Sequence, residues 1–430
     1  MTCTLWILFL LSVSRIIWAV KFRVNQATVN EDFVHLIGRF DHKNITGLFQ
    51  SQWPGSGLAL KVVAGVGSSL ANESGVQVTV LIGFEECVDP NCNFVVQTKI
   101  NGDTYSLNQV SSPFYSKYLR RTNNKVNVDG SVSLATARTV GQNVINMTIS
   151  DAKPGSIHEF SFFKRTESYC GDVGGILVIG DITVIGGEVL PYHGNTDYSL
   201  STSTHSTKTK PKILFLGDSI TAGFGVEGTS PCDFSSTTES VLEAYAWQVA
   251  EAVVAEAHVV AWSGLGVVRD YGDPNEVSRE SMPTFYNRTI GTEAGSYWDP
   301  SQWQPNLVVI ALGTNDFSSD PAPTVEEFAK GYLNWIDIIM RDYPTAQLLL
   351  LCNPVMDDNY DKDRQCDNIE NVRMLASAQH GIDVHYLRIP QSVADPSGNW
   401  GCGGHPNVVT STNMAAYMLP MVKKILGIAA

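Results

Sequence analysis

Four residues capable of chemistry recur in one order along the C-terminal half of the chain. They are Ser219 in Gly217-Asp218-Ser219, Gly264 in Trp262-Ser263-Gly264-Leu265-Gly266, Asn315 in Gly313-Thr314-Asn315-Asp316, and His405 in "NWGCGGHPN". Together they form a complete set for acyl transfer. A serine hydroxyl is a poor nucleophile until a base takes its proton. An imidazole, with an ordinary pKa of about 6.5, accepts and returns a proton near neutrality. A tetrahedral intermediate needs fixed donors for its oxyanion. The backbone N–H groups of Ser219 and Gly264 and the side-chain amide of Asn315 would supply three. Taken singly, each residue has a plainer reading. A serine in a βα loop is more often a helix cap than a nucleophile. A lone histidine is more often structural, and a glycine after a strand usually makes a turn. Asp218 reads as a partner of nearby backbone N–H groups. Asp316 reads as a loop-fixing residue or a cap.

The elements around these residues decide between the readings. Strand-like "KILFLG" precedes the helical pattern "ESVLEAYAWQVAEAVVAEA", in which Tyr245 and Trp247 read as core. Strand-like "HVVAWSG" and "NLVVIALG" follow, then helical "TVEEFAKGYLNWIDIIMRDY" and strand-like "AQLLLLCNP". Helical "NIENVRMLASAQHG", strand-like "IDVHYLRI" and helical "STNMAAYMLPMVKKILGIA" complete the chain. Strands alternating with helices imply a parallel sheet covered on both faces, and such sheets bind ligands at the carboxyl ends of their strands. Ser219, Gly264 and Asn315 fall at three predicted carboxyl ends, and His405 lies just before the last helix.

The N-terminal half differs. "LALKVVAG", "GVQVTVLIG", "NFVVQTKING" and "GGILVIGDITVIGG" are short, β-branched and bounded by Gly, Asn or Asp, without a helical repeat. Residues 21–193 are therefore expected to form an all-β sandwich or jelly roll. The Ser/Thr-rich stretch 194–211 reads as a linker, and 212–430 as the α/β domain.

The chain has 430 residues, 43% of them hydrophobic and 17% charged, with a formal net charge of −14. That balance supports two globular cores and excludes nucleic acid, which needs a basic surface. Residues 1–19 read as a signal peptide cleaved after Ala19, although the n-region lacks Lys and Arg; the alternative is an N-terminal membrane anchor. After cleavage no segment would span a membrane. Asn44, Asn72, Asn146 and Asn287 head Asn-x-Ser/Thr tripeptides and become glycosylation candidates behind such a leader. Eight cysteines are present, and without Cys3 the count is odd. Their spacings fit no zinc pattern, so structural disulfides are expected, with Cys87–Cys92 and Cys352–Cys366 as sequence-local candidates.

At Ser219, Gly264, Asn315 and His405 the chain resembles the SGNH, or GDSL-like, hydrolases, whose four sequence blocks carry these residues. "HLIGRFD", "WPGSGLALKV" and "FFKRTE" resemble the front domain of the two-domain carbohydrate esterase family two, the acetyl xylan esterase-like group. The resemblance implies a three-layer α/β hydrolase domain preceded by a jelly-roll domain. It implies a secreted serine esterase that removes O-acetyl groups from xylan- or mannan-type polysaccharide. Ser219 and His405 would be catalytic, with Ser219, Gly264 and Asn315 as the oxyanion hole, and no cofactor or metal is needed. The rivals are a broader lipase or thioesterase of the same superfamily and a non-catalytic carbohydrate-binding protein.

One part of the family pattern is missing. Most SGNH enzymes carry an Asp three residues before the His, where this chain has Cys402. Some family-two members carry it two residues before, where this chain has Gly403. Three repairs are open: a backbone carbonyl orienting His405 in a Ser-His dyad, a distant carboxylate such as Asp395, or loss of catalysis. The resemblance favours the dyad. Sugars present apolar C–H faces to aromatic rings, so Trp400 and Trp262 are the candidate platforms, with Trp298 and Trp303 also near the predicted active face; for any one of the four, core or rim packing is the commoner reading.

Overall fold

The computed structural model describes residues 6–12, 15–23, 33–43, 48–65, 75–85, 93–111, 143–167, 175–191, 210–354, 362–394 and 400–429. The N-terminal half contributes strands β1 (Trp6–Ser12), β2 (Arg15–Arg23), β3 (His35–Ile37), β4 (Asp41–Lys43), β5 (Leu48–Ser51) and β6 (Gly57–Ala64). It continues with β7 (Val76–Glu85), β8 (Asn93–Ile100), β9 (Asp103–Ser111), β10 (Asn143–Ile149), β11 (Ile157–Lys164), β12 (Ile176–Ile185) and β13 (Gly187–Leu190). They form two antiparallel sheets. One runs β1-β2-β12-β5-β4, with β7 also on β12 and β10 on β7. The other runs β13-β6-β11-β8-β9, with β3 on β6.

The two sheets enclose one core because their strands alternate. On β7, Val76, Val78, Val80 and Ile82 are fully buried while the residues between them face outward, the period of two that a pleated strand imposes. They meet Leu58, Leu60 and Val62 of β6 and Phe160 and Phe162 of β11. Much of the stretch 1–19 expected as a leader lies in the hairpin of β1 and β2, which continues past it to Arg23 and pairs through β2 with β12. Among the described residues no helix is long and apolar enough to cross a membrane. Most of the expected linker, and the Cys87–Cys92 pair, Asn44 and Asn72, lie outside the described residues.

The C-terminal half is built on five parallel strands: β14 (Lys212–Gly217), β15 (Glu256–Ala261), β16 (Leu307–Ala311), β17 (Gln347–Cys352) and β18 (Val384–Arg388). Their order is β15-β14-β16-β17-β18, so the chain reverses direction across the sheet between β14 and β16. The three central strands are apolar along nearly their whole length because both faces are covered. On one face Leu214, Leu216, Val308, Ile310, Leu348 and Leu350 pack under α4 (Val325–Asp342) and α5 (Lys362–His380). On the other, Ile213, Phe215, Val259, Val309 and Leu351 pack under α2 (Tyr245–Ala252) and α7 (Val408–Leu426). Shorter helices are α1 (Ser219–Ala222), α3 (Met282–Tyr286) and α6 (Gln391–Ala394). Helix α4 opens on a capping box between Thr324 and Glu327. Helix α7 opens on Asn407, which accepts from Thr410 N at 2.9 Å.

Helix α2 is shorter than its sequence pattern. Ala244 is extended, so Val241–Glu243 forms a separate 3-10 turn, and Val254 at φ 53° ends the helix before β15. Tyr245 and Trp247 are core residues, as expected. The two halves share packing. Trp53, from the β half, is buried in the α/β core, and Phe163 of β11 meets Trp247 with ring centroids 5.2 Å apart.

Candidate active site

Helix α1 begins immediately after β14 and carries Ser219 at its first position. Asp218 caps it, its Oδ1 accepting from Ile220 N at 3.0 Å. The turn is tight enough to exclude any side chain at Gly217, where a β-carbon would stand 2.1 Å from Thr221 Oγ1. Asp218 is wholly buried, which pushes its carboxyl up to about 7. It is a structural cap, in line with its local reading.

His405 reaches this turn from the loop before α7. Its Nε2 lies 2.7 Å from Ser219 Oγ, and its Nδ1 lies 3.1 Å from the carbonyl oxygen of Gly403. Each ring nitrogen is thus committed. If Nδ1–H donates to the carbonyl, Nε2 is left as the acceptor of the serine proton. A backbone carbonyl occupies the place of the missing carboxylate. Asp395, the more distant alternative, lies outside the described residues. Burial lowers the His405 pKa to about 4, against the opposing hydrogen bond to Gly403. A carbonyl carries no full charge to hold a proton on the ring, so desolvation wins.

The loop that presents the carbonyl is pinned from several sides. Gly403 sits at φ 60°, and a β-carbon there would meet Phe224 Cε1 at 2.9 Å. Phe224 packs against the imidazole with centroids 4.3 Å apart and against Phe234 at 4.6 Å. Gly401 N donates to His405 O, Cys402 N to Gly225 O and Gly403 N to Cys232 O, at 2.8–3.0 Å. Cys402, which stands where most SGNH enzymes have Asp, forms a disulfide with Cys232. The expected Cys352–Cys366 disulfide is also formed; the Cys232–Cys402 pair went unread because 170 residues separate its partners.

Gly264 and Asn315 follow β15 and β16. Asn315 donates one amide hydrogen to Leu265 O at 2.8 Å, which fixes its plane and leaves the second for a ligand. Gly264, at φ 80°, accepts from Tyr271 N at 2.8 Å through its carbonyl. Neither Ser219 N nor Gly264 N has an acceptor among the described residues. Asp316 accepts from Val267 N, Val268 N and Arg269 N at 3.0, 2.7 and 3.0 Å and so holds the loop after Gly264. It is a loop-fixing residue, and burial raises its carboxyl pKa.

Among the tryptophans, Trp298 and Trp303 are core residues, the commoner of their two readings. Trp262 is half-buried between Trp53 and Phe285, at centroid distances of 6.0 and 5.5 Å. Trp303 is buried and stacks on His258 at 3.7 Å, beside Glu256 and Lys212 at the amino ends of β15 and β14. Trp298 packs near the same histidine. These two line the end of the sheet opposite to Ser219, because proximity in sequence to a loop does not say which end of a strand the loop serves. Trp400 is partly exposed and its carbonyl accepts from Ser230 N at 2.9 Å. Sequence reading missed Tyr271. It is 63% exposed, and its β-carbon lies 3.9 Å from where a β-carbon on Gly264 would stand.

Residues 215–409, which carry Ser219, Gly264, Asn315 and His405, match the GDSL-like Lipase/Acylhydrolase family. That match takes in a little under half of the chain. The chain is 33% identical over 219 residues to the cellulase/esterase CelE of Acetivibrio thermocellus, an alignment covering 50% of this chain and 26% of CelE. It is 24% identical over 270 residues to an acetylxylan esterase/glucomannan deacetylase of Cellvibrio japonicus, covering 63% of this chain and 67% of that protein. It thus spans about a quarter of the length of CelE and two thirds of the Cellvibrio protein. A solved family two carbohydrate esterase from Clostridium thermocellum, in complex with cellohexaose, superposes with a TM-score of 0.66 at 24% identity. That match covers 92% of this chain and 99% of the other. The fold, β half included, is that of a family two carbohydrate esterase.

Proposed function

We propose that the chain is a secreted serine esterase that removes O-acetyl groups from polysaccharide of the xylan or mannan type. The observation that carries the reading is the Ser219 Oγ–His405 Nε2 contact of 2.7 Å, with Nδ1 already committed to Gly403 O. Ser219 Oγ attacks the acetyl carbonyl while His405 Nε2 takes its proton. Ser219 N, Gly264 N and Asn315 Nδ2 receive the oxyanion. His405 then protonates the departing sugar oxygen, leaving acetyl-Ser219. Water attacks this ester, giving its proton to His405, and acetate departs as Ser219 recovers its hydrogen. Gly403 O holds one tautomer throughout, the task that a carboxylate performs in a triad. Tyr271 and Trp400 are the aromatic faces available to a sugar ring.

The names of the relatives support the substrate class, and the two disulfides support an oxidising compartment. The antiparallel strands gather a core of their own, with Trp53 and Phe163 packing across into the α/β half, which supports reading the halves as two domains in contact. Acetate release from acetylated xylan and acetylated glucomannan tests the proposal, alongside 4-nitrophenyl esters of increasing chain length. The expected result is acetate release with turnover falling steeply beyond short acyl groups. Turnover that rises with chain length, without deacetylation of polymer, would assign the site to a lipase instead.

A further inference from the structure

The stretch Lys164–Glu167, which closes the described part of β11 and its exit, leaves the β half and enters the α/β half. Glu167 is buried there, and both of its carboxylate oxygens face Ser263. Oε2 accepts from Ser263 N at 2.5 Å, and Oε1 accepts from Ser263 Oγ. Ser263 is the residue immediately before Gly264. The Glu167 backbone N–H donates to Glu239 Oε1 at 3.2 Å, which brings the two buried carboxyl groups close together. Ser240, next to Glu239, donates its N–H to Gly223 O at the end of α1, at 3.1 Å. Arg165 Nε binds Glu239 O at 3.0 Å, and Lys164, also buried, lies close enough to both carboxyls to attract them. One side chain of the β half therefore holds the peptide leading into Gly264. The backbone N–H of the same residue, through Glu239, ties this segment to the turn that carries Ser219.

A buried carboxyl is costly to keep unless its hydrogen bonds are used. Packing alone would be met by an apolar residue at position 167. We propose that Glu167 is a positioning residue for the oxyanion site, fixing the Ser263–Gly264 peptide so that the Gly264 N–H holds its place beside Ser219. The inference rests on the esterase reading above. It gives the β half a part in the reaction beyond any contact with sugar. The segment after Gly264 is held by Asp316, from the α/β half itself, so the loop is clamped at both ends by buried carboxyls of different halves.

The test compares full-length wild type, Ser219→Ala, Glu167→Gln and Glu167→Ala. It measures kcat and KM on 4-nitrophenyl acetate and inhibition by phenylboronic acid, whose tetrahedral adduct on Ser219 Oγ places a boron-bound oxygen where the oxyanion forms. Complete loss of an oxyanion donor lowers kcat by about 10²–10³-fold. A displaced donor in Glu167→Ala should therefore lower kcat by about 10–100-fold, with KM within about twofold and the boronate inhibition constant rising in parallel. Glu167→Gln keeps one acceptor for Ser263 N but loses the one for its hydroxyl, and should fall between wild type and Glu167→Ala, several-fold below wild type. Glu167→Ala that folds with kcat within about twofold of wild type overturns the proposal. So does a fall in kcat with unchanged boronate inhibition. If Glu167→Ala does not fold, wild-type kcat and inhibition in Glu167→Gln overturn it. Ser219-dependent hydrolysis that Glu167 does not modulate refutes this inference alone. A wild type without Ser219-dependent hydrolysis refutes the esterase reading and this inference with it.

Discussion

The pH dependence of kcat/KM follows from what holds His405. The perturbation is acidification, and the group it acts on is the free-enzyme imidazole, because kcat/KM reports free-enzyme pKa values. The base must be neutral to take the Ser219 proton, so activity rises with pH as His405 loses its own. Burial places that loss at about 4, with a carbonyl as the partner of Nδ1. At pH 5 an imidazole with a pKa of about 4 is about 90% neutral, whereas an unperturbed one at about 6.5 is about 3% neutral. The two cases differ by about 30-fold in rate relative to their plateaus. Acetate release at substrate well below KM, followed from pH 3.5 to 8, reads the difference. The expected profile is flat down to about pH 5 and falls below it. An acid limb centred at 6.5 or above would refute the reasoning, because it would mean that a carboxylate or bulk water, not the Gly403 carbonyl, sets the histidine.

Three further outcomes are expected. Asn315→Ala removes the oriented amide and should lower kcat by about 10²–10³-fold with little change in KM, read by steady-state kinetics. Gly403→Ala forces a side chain into a left-handed backbone conformation and against Phe224. It should cost about 1–2 kcal/mol in urea denaturation, more if Phe224 cannot yield, and lower kcat because the carbonyl holding His405 shifts. Trp53→Ala opens a cavity where the β half enters the α/β core; it should cost about 3–5 kcal/mol and lower the denaturation midpoint of the α/β half, followed by circular dichroism at helical wavelengths.

Much of this site was readable from the chain because the chemistry falls where periodicity changes. Ser219, Gly264 and Asn315 each follow an apolar strand, and a parallel sheet gathers its carboxyl ends at one edge whatever the loops contain. His405 was readable as the residue before a capped last helix. That a carbonyl could orient it was suggested by the absence of Asp at positions 402 and 403 and by the resemblance; which carbonyl it is was not readable, because a backbone acceptor has no residue type. The Cys232–Cys402 disulfide was hidden by sequence distance, and no local pattern said that the loops of Trp298 and Trp303 serve the amino ends of strands. "FFKRTE" read as a family marker in the β half. That its glutamate crosses to Ser263 is a fact of the packing between the halves, which no local pattern carries.

The central claim is that Ser219 is the nucleophile. Diethyl 4-nitrophenyl phosphate, which an activated serine attacks with loss of 4-nitrophenolate, tests it most directly. After incubation of the full chain, peptide mass mapping should find a single diethylphosphoryl group on Ser219, with acetate release lost in proportion to labelling. A label on another residue that tracks the loss of activity, or full inactivation with Ser219 unmodified, would contradict it.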